Sequence, residues 1–201
     1  MKAEECNIIF KKVIDDYHVV DNVDSNCLNP FKNTTLKNIM YEKCWVDTVQ
    51  WHLEDIIRIP NINPEEGLSI KKRIDKSNQV RTDLVEKIDD YYFKLYYDSS
   101  LGATQINTES PGWVVDRLSI LSLKIFHMDE QVKRVDVENR HKKECQNKLE
   151  ILKIQQVDLS SSFNQLLEDY EKGLKKIKVY RQMKMYNDKN LNPELYRKTK
   201  K

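Results

Sequence analysis

The sequence is poor in the residues that turn a chain. Four glycines and five prolines in 201 residues leave little material for the turns of a β-rich fold. No glycine-rich phosphate loop and no GxSxG is present, so the usual sequence marks of a nucleotide-binding loop or a serine hydrolase are missing. Cysteine is also scarce. Cys6, Cys27, Cys44 and Cys145 form no CxxC pair, which argues against a zinc finger and against a disulfide framework. No stretch approaches the ~20 apolar residues that span a bilayer. The opening MKAEECNIIF is too acidic and too short in apolar run for a secretory signal. These absences predict a cytoplasmic, reduced protein with no membrane span. A net charge of +2 gives no ground for a nucleic-acid partner. The basic end, Arg197 to Lys201, is expected to be a disordered tail.

What the chain does contain is helix. Charged residues are 33% and apolar residues 39% of the total, a balance that suits amphipathic helices with solvated outer faces. The predicted fold is all-α: a single-domain, up-and-down helical bundle over 1–201 with long C-terminal helices. Its centre is expected at SPGWVVDRLSILSLKIFHM, 110–128. Ser110 and Pro111 read as N-cap and first helical residue. One broad face gathers Val114, Val115, Leu118, Leu121, Leu123, Ile125 and Phe126. The opposite arc carries Asp116, Arg117, Lys124 and His127, yet also Trp113 and Ile120. Such a helix is surrounded by others, and its ionisable arc is either a buried cluster or the lining of a cleft.

The flanking segments complete the pattern. A first helix is predicted over Ala3–Val19, with Ile8, Ile9, Val13 and Ile14 inward, and His18 and Asp21 near its end. A second runs from Thr35 to Ile59. Its projection puts Tyr41, Trp45, Val49, Leu53 and Ile56 inside and Lys43, Asp47, Gln50, Glu54 and Arg58 outside, with Glu54 and Arg58 as a surface pair. His52 and Thr48 fall on the inner side, next to Asp55. A third helix extends from Pro64 to Tyr97 along Ile70, Ile74, Leu84, Val85, Ile88, Tyr92 and Leu95. Ser77 and Arg81 interrupt that stripe, with Asn78 at its margin. A guanidinium facing a core needs an acid beside it, and the expected partner is Asp55 or Asp116. The stretch 98–109 reads as a loop that covers a polar cleft. His141 reads as solvated. Beyond it an apolar line, Cys145, Leu149, Leu152, Leu159, Phe163, Leu166, Tyr170, Leu174 and Ile177, predicts either one long helix or two meeting near Asp158–Ser162, and DLSSS favours a break. A last helix is predicted to close with VYRQMKMYND, 179–188.

Chemistry is less legible. Tyr17-His18, Trp51-His52 and Phe126-His127 each pair an aromatic with a histidine, with Asp21, Asp55 and Asp129 close behind. His52 and His127 could meet near one end of a bundle, and helical bundles do hold metals on inward Glu and His. Two Glu-x-x-His motifs are absent, as is HExxH, and the paired acidic motifs of a helical, magnesium-dependent pyrophosphohydrolase are incomplete. Arg81, Arg117 and Lys124, beside Asp55, Asp116, Trp45 and Trp113, suit a polar, hydroxylated or phosphorylated ligand.

The segments KCWVDTVQWHLEDIIR, IDKSNQVRTDLVEKID, SPGWVVDRLSILSLKIFHM and YRQMKMYNDKNLNP, taken in this order, resemble a bacterial family of all-helical proteins of unknown function and similar length. The resemblance brings no activity with it. It implies an association with glycosyltransferase genes for surface polysaccharide, and so a connection to glycan assembly. Its motifs coincide with His52, Asp55, Asn78, Arg81, Asp116, Arg117 and His127, and Thr82-Asp83 departs from the expected pair. Three readings follow. The first is an accessory or binding protein for a sugar nucleotide or phosphorylated sugar, held by His52, Asp55, Asn78, Arg81, Asp116, Arg117, Lys124 and His127. The second is a metal-dependent hydrolase or transferase using His52, His127 and nearby carboxylates. The third is a structural helix-pairing protein that forms homo-oligomers through its C-terminal helices. No cofactor is indicated.

Overall fold

Helix starts are written locally in this chain. In a computed structural model that describes residues 1–197, α1 spans Ala3–His18, α2 Leu36–Ile56, α3 Pro64–Ser100, α4 Pro111–Lys133, α5 Asn139–Glu171 and α6 Pro193–Tyr196. Thr35 caps α2 by accepting from Asn38 N. Asn63 caps α3 through Glu65 N and Glu66 N, with Pro64 in the first turn. The described residues contain no strand, and no helix among them is long and apolar enough to cross a membrane. The protein is an all-α helical bundle. The basic tail is described only as far as Arg197, and 198–201 lie outside the described residues.

α4 is the axis. It packs on α1, α2, α3 and α5, whereas each of those touches only three of the other long helices. Its broad apolar face is spent on them: Val114, Val115, Leu118, Leu121 and Leu123 are buried. α4 pairs most extensively with α5, and α2 with α3. α1 runs antiparallel to α5, with Ala3 N and Asn7 bonded to Asn164 and Ser160. α2 and α5 do not pack on each other. They stand on either side of α4, and the space between them is a groove with α4 as its floor.

Ser110 caps α4 indirectly. Its hydroxyl donates to Asp89 Oδ2 at 2.6 Å instead of accepting from its own helix. Asp89, projecting from α3, then accepts Gly112 N at 2.6 Å, so the free N–H is satisfied across the α3–α4 contact. Burial pushes the Asp89 carboxyl up, and these two donors work against that rise. Gly112 is required by the close approach: a Cβ there would lie 2.5 Å from Val85 O.

Several expected details are different. Ile8 is 70% exposed and Leu95 52%, because α1 and α3 each leave one flank uncovered. α2 ends at Ile56, before a turn at 57–58, and α3 continues to Ser100. α5 has no break at 158–162: Ser160 bonds to Asn7, and Phe163, Leu166, Leu167 and Tyr170 continue the buried face, so tertiary packing overrides the local capping signal. His141 is half-buried against Cys145 Sγ. All four cysteines are free. The segment 179–188 is not helical. After Gly173, whose φ of +67° ends α5 in the left-handed region, the chain becomes a strap along α3. Leu174 is exposed, Ile177 is buried, and Ile177 N donates to Ser100 Oγ. Arg181 then reaches Glu86 and Asp90, and Lys184 reaches Asn78 O at 2.9 Å and Thr82 Oγ1. The strap thus docks on one α3 stripe at 78, 82, 86 and 90, the spacing of a helical face.

Candidate functional site, a groove over the central helix

The polar arc of α4 turns inward in one part and faces the groove in the other. At its N-terminal half, Asp116 joins a buried ionic quartet with Lys43, Asp47 and Arg81. Lys43 is 0% and Asp47 2% exposed, which corrects their expected outward placement on α2. Charge alone suggested solvent, but α4 supplies partners that no reading of α2 by itself can show. Lys43 Nζ binds Asp47, lies 2.9 Å from Asp116 Oδ1 and donates to Asp116 O at 3.2 Å. Arg81 donates through Nε to Asp116 Oδ1 at 2.7 Å and through Nη2 to Oδ2, so the Asp116 pairing expected of it is present and Asp55 takes no part. Ser119 Oγ donates to Asp47 Oδ2. Two cations meet two anions, as charge burial requires.

The two carboxyls are pushed in opposite directions. Burial raises Asp47, and the neighbouring Asp116 adds to this against the pull of Lys43. Burial would raise Asp116 too, but Lys43 and Arg81 together hold it below the ordinary carboxylate range.

Toward its C-terminus α4 lines the groove. Three adjoining clefts share residues end to end. The first, of about 310 Å³, is lined by Asp47, Gln50, Trp51, Asp55, Arg81 and Ile120 among others. The second, about 610 Å³, includes Trp51, Asp55, Lys124, His127, Lys148 and Leu152. The third, about 660 Å³, includes Arg81, Asp116, Arg117, Ile120, Lys124 and Asp158. On α4 the lining positions 117, 120, 124, 127 and 131 follow the helical repeat.

Six of the eight residues singled out in the sequence therefore lie along one groove: Asp55, Arg81, Asp116, Arg117, Lys124 and His127. Arg117 is at the rim, paired with Glu109 at 2.7 Å. Lys124 is exposed and has no ion-pair or hydrogen-bond partner among the described residues. Asn78 is elsewhere; it accepts from Gln50 Nε2 at 2.9 Å and holds the strap. The indole of the groove is Trp51, stacked on His127 with centroids 4.8 Å apart. Trp45 lines a different hollow beside Val49 and Arg73. Glu54 and Arg58 form the surface pair expected of them.

His52 points behind the groove wall, where it meets two other histidines. His52 Nε2 is 3.2 Å from His18 Nε2, and one ring nitrogen from each of His18, His52 and His127 lies within 4.8 Å of the others. The expected meeting of His52 and His127 is present, at 5.3 Å between centroids. His18 was paired only with Asp21 on the sequence, because the link 19–35 hides its approach to α4. Burial lowers the His52 pKa, helped by the nearby His127. His127 takes Glu130 as its carboxylate, at 2.7 Å, in place of Asp129.

The class of protein is thus a helical bundle with a groove floored by its central helix and closed underneath by an ionic quartet. The family model described as "Protein of unknown function (DUF4254)" matches residues 37–179, and the chain belongs to that family. The match takes in α2 through α5 and begins after α1, the helix that carries His18. No curated protein and no solved structure matches the chain.

Proposed function

We propose that the protein binds a polar, anionic small molecule in the α2–α4–α5 groove, of the phosphorylated-sugar or sugar-nucleotide class. The observation that carries this reading is Lys124. Its ammonium stands where two clefts join, without a protein partner among the described residues, and a compact unpaired ammonium suits a phosphate oxygen. Arg81 presents a guanidinium edge to the first and third clefts. Trp51 offers an apolar face for a sugar or base, and Asp55 an acceptor for hydroxyls. The test is thermal shift with a uridine diphosphate sugar and a hexose phosphate. Stabilisation of the wild type that is lost in a folded Lys124→Ala variant supports the reading; no shift with either compound at millimolar concentration overturns it.

A second reading, helix pairing with another copy of the chain, draws on Ile151, Ile154 and Val157, which are exposed on one side of α5. The Phe163 and Tyr170 part of the expected pairing line is consumed inside the bundle. A mass in solution above the monomer that falls in Ile154→Glu would favour this role.

A further inference from the structure

We propose that His18, His52 and His127 form a binding site for a divalent transition-metal ion of the zinc class. This site shares His127 with the lining of the groove, but it does not rest on the groove reading. Its ligands come from α1, α2 and α4, three helices that meet at one end of the bundle.

The hydrogen bonds around the rings settle which nitrogen each presents. His18 Nδ1 is 2.7 Å from Ile14 O. A carbonyl only accepts, so this Nδ1 carries the proton and Nε2 is left with its lone pair. His127 Nδ1 is 2.7 Å from a Glu130 carboxylate oxygen, which leaves its Nε2 as a second lone pair. That Nε2 is buried and has no hydrogen-bond partner among the described residues. A ring nitrogen tied to a carbonyl or carboxylate while the other faces inward is the arrangement that supports metal-bound histidines.

His52 completes the set. In a tetrahedral site with zinc–nitrogen bonds of about 2.0–2.1 Å, ligand nitrogens lie about 3.3 Å apart, and His18 Nε2 and His52 Nε2 are 3.2 Å apart. Without an ion, His52 Nε2 must carry the proton to bridge that gap. Its Nδ1 lone pair would then face the Asp55 carboxylate, whose Oδ2 is 4.0 Å away. A metal on Nε2 moves the proton to Nδ1 and turns that repulsion into attraction. Asp21 Oδ1 lies 3.8 Å from His52 Nε2 and is a candidate for a fourth position. Tyr17 stacks on His52 at 5.1 Å and Phe126 packs tilted against His18 at 4.3 Å, so aromatic rings hold the imidazoles in place. Three neutral imidazoles suit zinc, and also copper or nickel, better than magnesium or calcium.

The test uses the full chain without a histidine tag, stripped with chelator and titrated with Zn²⁺ by calorimetry, with Co²⁺ absorption as a second readout. One equivalent of zinc is expected, with the visible bands of imidazole-bound cobalt. His18→Ala and His127→Ala should each weaken binding by roughly 100-fold or more. Glu130→Gln, on an exposed side chain, should weaken it about 10- to 100-fold while the helical circular dichroism is unchanged. Lys124→Ala should bind zinc as the wild type does, which separates this site from the groove. Absence of stoichiometric zinc in the folded wild type overturns the assignment. So does zinc binding that is the same in wild type and Glu130→Gln, even should the histidine variants fail to fold.

Discussion

The buried quartet and the histidine cluster stand at two levels of the same helices, α2 and α4, and differ in one respect. Around Lys43, Asp47, Arg81 and Asp116, protein groups answer one another. Of their buried side-chain atoms, only Asp47 Oδ1 lacks a hydrogen bond among the described residues, and Arg81 Nε lies 3.6 Å from it. Around His18, His52 and His127, three ring nitrogens converge, and the buried His127 Nε2 has no hydrogen-bond partner among the described residues. Buried polar groups that satisfy each other hold helices in register. A buried acceptor left without a donor suggests something that supplies one.

The largest effect expected from breaking this contrast is at Lys43. Lys43→Met should cost roughly 3–5 kcal/mol in urea unfolding, because two buried carboxyls, Asp47 and Asp116, lose the cation they share and Arg81 alone is left to balance them. Lys43→Met combined with Asp47→Leu should recover much of that loss; a double variant no better than the single one would show that packing, not charge, is what Lys43 supplies. Gly112→Ala comes next, at about 1–3 kcal/mol, since the added methyl meets Val85 O and Asp89. An unchanged melting temperature there would refute the close α3–α4 approach.

Acid should act on the quartet with a definite sign. Asp116 is held below the ordinary carboxylate range despite its burial. Its contribution is therefore complete above the unfolded value of about 4 and is lost as pH falls through the lower folded value. The stability curve of Asp116→Asn should be flatter than that of the wild type below about pH 4; parallel curves would contradict this. The smallest effect is expected on the surface. Glu54→Ala removes an exposed pair and should change stability by no more than about 0.5 kcal/mol.

The architecture was legible where the signals are local. Ser110-Pro111 marks one helix start, the expected starts at Thr35 and Pro64 agree with the structure, and the apolar face of α4 marks the axis. Arg81 was legible because a guanidinium in an apolar stripe demands an acid. Lys43 and Asp47 were not, because their partner Asp116 lies on another helix and a projection of α2 alone treats every charge as solvated. His18 was assigned to its own helix end for the same reason. The segment 179–188 reads as helix from sequence alone and is an extended strap in the structure, since alternating charges and aromatics in VYRQMKMYND fit either an exposed helix or a segment docked by ion pairs on α3.

The separation of α2 from α5 sets how the groove can adapt. Its wall helices do not pack on each other, so the aperture is not set by helix packing between them. The gauge is whatever stands on the floor, and at the join of the first and third clefts that is Ile120. A larger side chain at 120 narrows the passage between the first and third clefts, and a smaller one merges them, with neither wall helix having to unpack from its neighbours.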